Sequence, residues 1–441
     1  MNTTRKLSIL LCCIALLAGC SGKAQSTAKK TPGKQQSHSA ANEQLQLKKW
    51  MLRSISQGDG SEQGFYRIKS IDNGGGNIYS NILYTDYESK KEVYLCDKPE
   101  CKHNDDTCTS YFAGLDMVTQ LIVHKDHVYL ITNEDTAVNE KNERVTMPAR
   151  ILQMDLDGKN RRELCQMKSG FEFSYEDMAA AGNILYVPVE KKENVSTGSE
   201  QMSSVVQVVR EKSLYAIQLD SGDYKAVADL KNKSILGTMG HDLVVNAYEY
   251  EEDPEKLLDK GDFSGYDRVS QNAKVSYERI NADTGKVEKS VKADADLLGV
   301  YENGFVYYTD NSGMLKKLDM KTGKTDDLKQ LDDPMSSLMY ADEQHLFLYV
   351  KDKEYVYSLK DNLITPFTLK MRDTQEPIRL LGETRESYYV IYDQTGEVKR
   401  TWAGTDQYEA SEYSYGLIKK QDYWNSKADY IPVDVAVNGA Q

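Results

Sequence analysis

The residues of this 441-residue chain best suited to chemistry are crowded into one segment, LCDKPECKHNDDTC, where Cys96, Cys101, His103 and Cys108 follow the spacing C-x4-C-x-H-x4-C. Three thiolates and an imidazole are the donor set of a tetrahedral Cys3His zinc site, and Pro99 turns the chain between the first two donors. The spacing follows no common zinc-finger pattern, so the indication lies in the donor types. A closed shell of four protein donors would make such an ion structural, because catalytic zinc keeps one position open. The same thiols, with Cys165 as a fourth, could instead pair as disulfides in any of three ways, or remain free.

Other candidates reduce to turns. Thr322-Gly323-Lys324-Thr325 imitates the end of a P-loop, but the position that needs the earlier glycine is Leu318. Asp155-Leu156-Asp157-Gly158 opens like a calcium loop without the closing Glu. His124, His127, His241 and His345 are scattered near strand starts, and only His124 and His127 are close enough to pair as ligands. No G-x-S-x-G elbow and no H-E-x-x-H motif occurs, so no catalytic residue is assigned. Trp402, in the polar segment KRTWAGTDQY, is the candidate for an exposed stacking residue in ligand binding, whereas Trp424 is expected to be packed.

The elements that must carry these residues begin after an address. Arg5 and Lys6 precede an apolar run from Leu7 to Leu17, about half of the ~20 residues that cross a bilayer. The run ends in Leu17-Ala18-Gly19-Cys20, which resembles the lipobox of bacterial lipoproteins. The resemblance implies a signal peptide over 1–19 and a diacylglyceryl group on Cys20, the mature N-terminus. Further acylation of the palmitate type would make the anchor stable. Residues 20–47 are rich in Ser, Lys, Gln, Ala and Thr with almost nothing to bury, and read as a disordered tether reaching roughly 30 Å. The expected location is the extracytoplasmic face of a bacterial membrane, held through the N-terminal lipid. Disulfides are favoured there, and they rank ahead of a structural zinc for the four thiols.

Residues 48–441 read as one all-β domain. Tyr is abundant, at 30 against 8 Phe and 3 Trp, as suits half-exposed strands. A Tyr-rich strand recurs as NILYTDY, DHVYLIT, GNILYVPV, HDLVVNAY, NGFVYYTD, HLFLYV and SYYVIYD. Aligning Tyr84, Tyr129, Tyr186, Val244, Tyr307, Phe347 and Tyr389 gives separations of 45, 57, 58, 63, 40 and 42. Each heads a unit whose partner strands turn at an Asp/Gly hairpin, as in RILQMDLDGKNRREL and MLKKLDMKTGKTDDL. That spacing predicts a β-propeller of seven blades, with six or eight as alternatives. The phrasing resembles the repeats of TolB-like propellers of bacterial envelope proteins. The Cys-rich segment resembles one found in propeller lipoproteins of unassigned function in Gram-positive anaerobes, and that resemblance assigns no chemistry. Two polar stretches, 191–210 and 251–272, are expected to be surface loops.

Charge narrows the function. Net charge is −13, and residues 1–50 carry eight Lys/Arg against one Glu, which leaves −20 on the body. Such a body repels phosphate backbones, which excludes nucleic-acid binding. The expectation is a lipid-anchored, non-catalytic binding module for a protein, peptide or glycan. The alternatives are a surface hydrolase or lyase using channel carboxylates, and a metal- or redox-responsive sensor built on the Cys/His cluster.

Overall fold

The computed structural model describes residues 43–437 except 50–57, 73–77, 114, 116–118, 139–143, 200–201, 296–298 and 401–404. The signal segment, Cys20 and Trp402 lie outside the described residues.

Among the described residues, seven antiparallel blade sheets follow one another along the chain, at 58–113, 120–166, 178–229, 233–293, 300–330, 337–366 and 379–432. In each, four strands are hydrogen-bonded in chain order, so every blade is a meander. Alternation within a strand gives each blade two apolar faces, one for each neighbour. In blade three, Tyr186 faces the cluster shared with blade four, while Leu185 and Val187 face the cluster shared with blade two. Seven buried clusters result, one for each seam. The seventh joins Phe65 of blade one to Tyr389, Tyr415 and Leu417 of blade seven, so the ring is closed. Asp434, beyond the last strand, pairs in parallel with Lys91 on the outer strand of blade one. Trp424 is packed, 4% exposed, in the seam between blades six and seven.

The seven Tyr-rich segments are all blade strands, with one shift of position. In blades two to seven each is the second strand, but NILYTDY lies in the third strand of blade one, Ile78–Asp86. The second strand there is Gly64–Asp72, which carries Tyr66. It was masked by Arg67 and Lys69, charged residues at positions that are 7% and 4% exposed.

Both stretches expected to be loops are regular structure. The stretch 191–210 belongs to a hairpin arm made by the extended strands Ile184–Ser199 and Met202–Gln218, which pair out to Ser199 opposite Met202 with one register shift between Lys191 and Lys192. Residues 251–272 fold into α1 (Pro254–Asp259) and α2 (Phe263–Gln271). Asp253 caps α1 by accepting the Glu255 N–H at 3.1 Å, and Asp262 caps α2 by accepting the Gly265 N–H at 2.8 Å. Blade seven carries a second arm, Ser387–Arg400 with Asp406–Lys419, and blade two a hairpin, Asp135–Val138 with Arg144–Met147.

All four insertions arise between the second and third strands of their blades. In an antiparallel meander those turns share one face of the ring, and the turns between first and second strands share the other. The described chain enters on that other face. The Glu43 carbonyl lies 3.1 Å from the His241 ring, the Leu45 N–H donates to Gly240, and Gln46–Lys48 pairs with Met178–Ala181 of blade three. The propeller thus begins inside the stretch read as tether, because Leu45 is apolar and buried between blades three and four.

Candidate metal centre

The outer strand of blade one is split. Lys91–Tyr94 and Tyr111–Ala113 both pair with the third strand, Ile78–Asp86, and residues 95–110 bulge outward between them. The Leu95 N–H donates to Ile82 on entry, and the Ile82 N–H donates to Ser110 on return, so the ladder frames the bulge on both sides.

Within this knuckle the ligand atoms of Cys96, Cys101, His103 and Cys108 all lie within 4.8 Å of one another. A tetrahedral zinc with ligands at about 2.0–2.3 Å fits a set of this size. Cys108 is 2% exposed and the other three are half-buried. His103 stacks on Tyr94 with ring centroids 3.9 Å apart and planes 8° from parallel, and its Nδ1 is 3.3 Å from Cys108 Sγ. The Ser110 N–H donates to Cys108 Sγ at 3.3 Å, while the Ser110 hydroxyl donates to Asn81 on the neighbouring strand at 2.5 Å. These contacts hold two donors from behind, as outer-shell partners of metal ligands do.

The electrostatics suit a cation. Burial lowers His103, so its imidazole is neutral at pH 7 and free to ligate. Cys96 is lowered: burial opposes this, but the Lys98 backbone N–H, Cys108 and Thr109 outweigh it. Cys101 is raised: the His103 N–H favours its thiolate, but burial and the adjacent Cys108 and Cys96 outweigh that. Adjacent thiolates resist sharing one site unless a cation offsets their repulsion.

The four cysteines among the described residues, Cys96, Cys101, Cys108 and Cys165, are free thiols in this structure. Cys165 does not join the knuckle. It is buried in the seam between blades two and three, where burial pushes its thiol up to about 12. The cluster could hold a metal ion; the sequence supplied its four donors, but not Tyr94, Asn81 or Ser110, which carry no spacing signal.

The remaining candidates are structural. His124 Nε2 donates to the Gly182 carbonyl at 2.9 Å, and His127 lies 3.7 Å from Asp155, so the two histidines do not converge on one ligand. His241 and His345 pair with Asp283 and Asp342 at 3.0 and 3.1 Å. Asp155–Gly158 and Asp319–Lys324 are hairpin turns, the second held by Asp319 accepting the N–H groups of Lys321 and Thr322. On the face opposite the insertions, a cavity of about 660 Å³ gathers Glu302, Asp342, Glu343 and Glu383 with Arg385 and Lys420. Burial would raise Asp342, but His345 and the Gln344 N–H hold it below the usual carboxylate range, opposite to what a general acid needs.

No family model matches the chain, and no curated protein does. Several solved structures are similar. An acylaminoacyl peptidase from Pyrococcus horikoshii is 12% identical over 71% of this chain and 52% of its own, with a TM-score of 0.38. The β-propeller domain of the trilobed protease from Pyrococcus furiosus is 12% identical over 71% and 90%, at 0.37. TolB from Acinetobacter baumannii is 10% identical over 81% and 78%, at 0.33. The chain spans about half the length of the acylaminoacyl peptidases it resembles. Among the described residues, no helix is long and apolar enough to cross a membrane.

Proposed function

We propose that the chain is a membrane-tethered binding propeller, anchored through lipid on Cys20 at the outer face of a bacterial membrane, which engages a protein, peptide or glycan on its insertion-bearing face. One observation carries this reading: the four insertions share one face, while Glu43, where the tether would join, lies on the other. A tether leaving there points the two arms and the α1–α2 hairpin away from the lipid. The arm of blade three and the α1–α2 hairpin of blade four brace each other. Arg210 donates to both carboxylate oxygens of Asp259 at 2.9 and 2.7 Å and to Glu193 at 2.7 Å. A braced, multi-element surface of this kind is how rigid scaffolds present recognition elements.

Two experiments test this. Cys20→Ala should release the protein from membranes and abolish incorporation of a labelled fatty acid. Retention on the membrane without label would remove the anchor from the reading. A photo-crosslinking residue at the exposed Lys260, on the insertion-bearing face, should give a discrete adduct in cells, whereas the same residue at the exposed Lys360, on the opposite face, should not. Adducts only at Lys360 would place the interface on the wrong side.

The knuckle supports a second, separate reading: a structural zinc ion on Cys96, Cys101, His103 and Cys108. The four converging donors favour it. When bound, the ion would supply a cross-link that the polar segment lacks.

A further inference from the structure

We infer that the ion held by Cys96, Cys101, His103 and Cys108 is the clamp that keeps the split outer strand of blade one in place and docked on blade two. This rests on the reading of the knuckle as a zinc site, and it adds what the ion does.

The segment cannot hold its own shape. Between Tyr94 and Tyr111 only Leu95, Cys108 and Ser110 are buried, and the rest is polar and largely exposed. Burial of apolar surface therefore offsets little of its ordering entropy. Glu100 and His103 also adopt φ of +56° and +55°, a region that side chains other than glycine enter at a cost. Metal coordination is set against these losses, since in small zinc modules the free energy of binding the ion is itself folding free energy. Three thiols would release their protons to solvent as the ion binds, leaving a site of net charge −1.

The return limb of the knuckle is also the surface on which blade two rests. The Arg161 guanidinium lies 3.8 Å over the Phe112 ring, donates to the Tyr111 carbonyl at 2.7 Å and reaches the Thr109 carbonyl. Lys159 pairs with Asp97 at 2.8 Å, one residue after the first ligand. Gly158, at φ +79°, passes so near that a Cβ there would sit 2.7 Å from the Thr109 carbonyl. The residues that the turn 155–161 of blade two contacts follow the last ligand, Cys108, as Thr109, Tyr111 and Phe112 do, or follow the first, Cys96, as Asp97 does. Fixing the four donors fixes the docking surface. Losing the ion frees both limbs of the bulge and the blade-two turn together, while the seam core of Ile68, Ile82, Leu121 and Leu130 stays packed.

The test uses the full chain. Native mass spectrometry should show one zinc, and cobalt substitution should give the visible bands of tetrahedral thiolate coordination. Hydrogen exchange with and without a chelator then reads the clamp. Removal of zinc should raise exchange about tenfold or more in 95–113 and in 155–162 while blades four to six are unchanged. Arg161→Ala should keep the zinc and raise exchange in 155–162 only. Zinc present but no change at 155–162 on chelation would overturn the clamp and leave the metal site standing. No zinc, or a mass short by two hydrogens from a Cys–Cys bond, would overturn both. Loss of protection throughout the ring on chelation would also overturn the clamp, because the ion would then hold the whole fold.

Discussion

Arg67 grips Glu92 with two prongs, Nε to Oε2 at 2.6 Å and Nη2 to Oε1 at 2.8 Å, across two strands of blade one where blade seven closes onto it. The Glu92 side chain is fully buried, and the guanidinium also lies 5.1 Å from the Tyr415 ring of blade seven and donates to the Val437 carbonyl. One charged pair thus ties the first blade, the last blade and the C-terminal segment together. Glu92→Gln leaves Arg67 buried without its counter-charge and should cost about 3–5 kcal/mol. Denaturant unfolding checks this; a loss below 1 kcal/mol would mean that the seam tolerates an unpaired guanidinium.

Lys69 sits two residues further along the same strand and is lowered to about 8 by burial and by Arg67. Its charged form is disfavoured in the fold, so the cost is full below pH 8 and fades as pH rises toward the ordinary lysine value of 10.5. Lys69→Met should therefore raise Tm at pH 7, and the gain should shrink between pH 8 and 10.5. A constant difference across that range would show that the charge is not what the fold resists.

His124 is lowered by burial, with Lys48 and Lys125 also opposing its charge, while the Gly182 carbonyl and Glu43 favour it. Its Nδ1 is buried without a partner, so protonation there would create an unsatisfied N–H. A folded value below 6.5 means that this contribution is intact above pH 6.5 and is lost as pH falls below it. His124→Gln, which keeps a donor toward Gly182, should flatten the decline in Tm between pH 6.5 and 5. An unchanged slope would assign the decline to other groups.

Arg210 braces the arm of blade three against α1 through solvent-exposed pairs. Arg210→Ala should change global stability by less than about 1 kcal/mol. It should nonetheless speed hydrogen exchange in residues 254–271, because this pair links the helical hairpin to the arm. Unaltered exchange there would mean that the hairpin is held by its own packing, with Pro254, Leu257, Gly265 and Val269 as the buried residues.

The recurring strands were legible because alternation is local: residues two apart share a face whatever the neighbour is. The donors at Cys96, Cys101, His103 and Cys108 were legible for a similar reason, since they lie within one short segment. Blade one is shifted by one strand because Arg67 and Lys69 break the apolar alternation, and the acceptance of Arg67 in the interior depends on Glu92, 25 residues away in sequence. The polar stretch 251–272 gave no strand signal, and its helices rest on caps at Asp253 and Asp262 that a reading of composition passes over.

By itself, the sequence determined Tyr-rich strands that recur every 40 to 63 residues and a Cys3His donor set within one short segment. Only the tertiary structure decided that the four insertions share one face, that the chain enters on the other, and that the knuckle leans on Gly158 and Arg161 of the next blade. Alternation is written between near neighbours in the chain. The face on which a turn emerges, and the blade that a bulge touches, follow from the direction of antiparallel pairing and from closure of the ring, which no local window of residues contains.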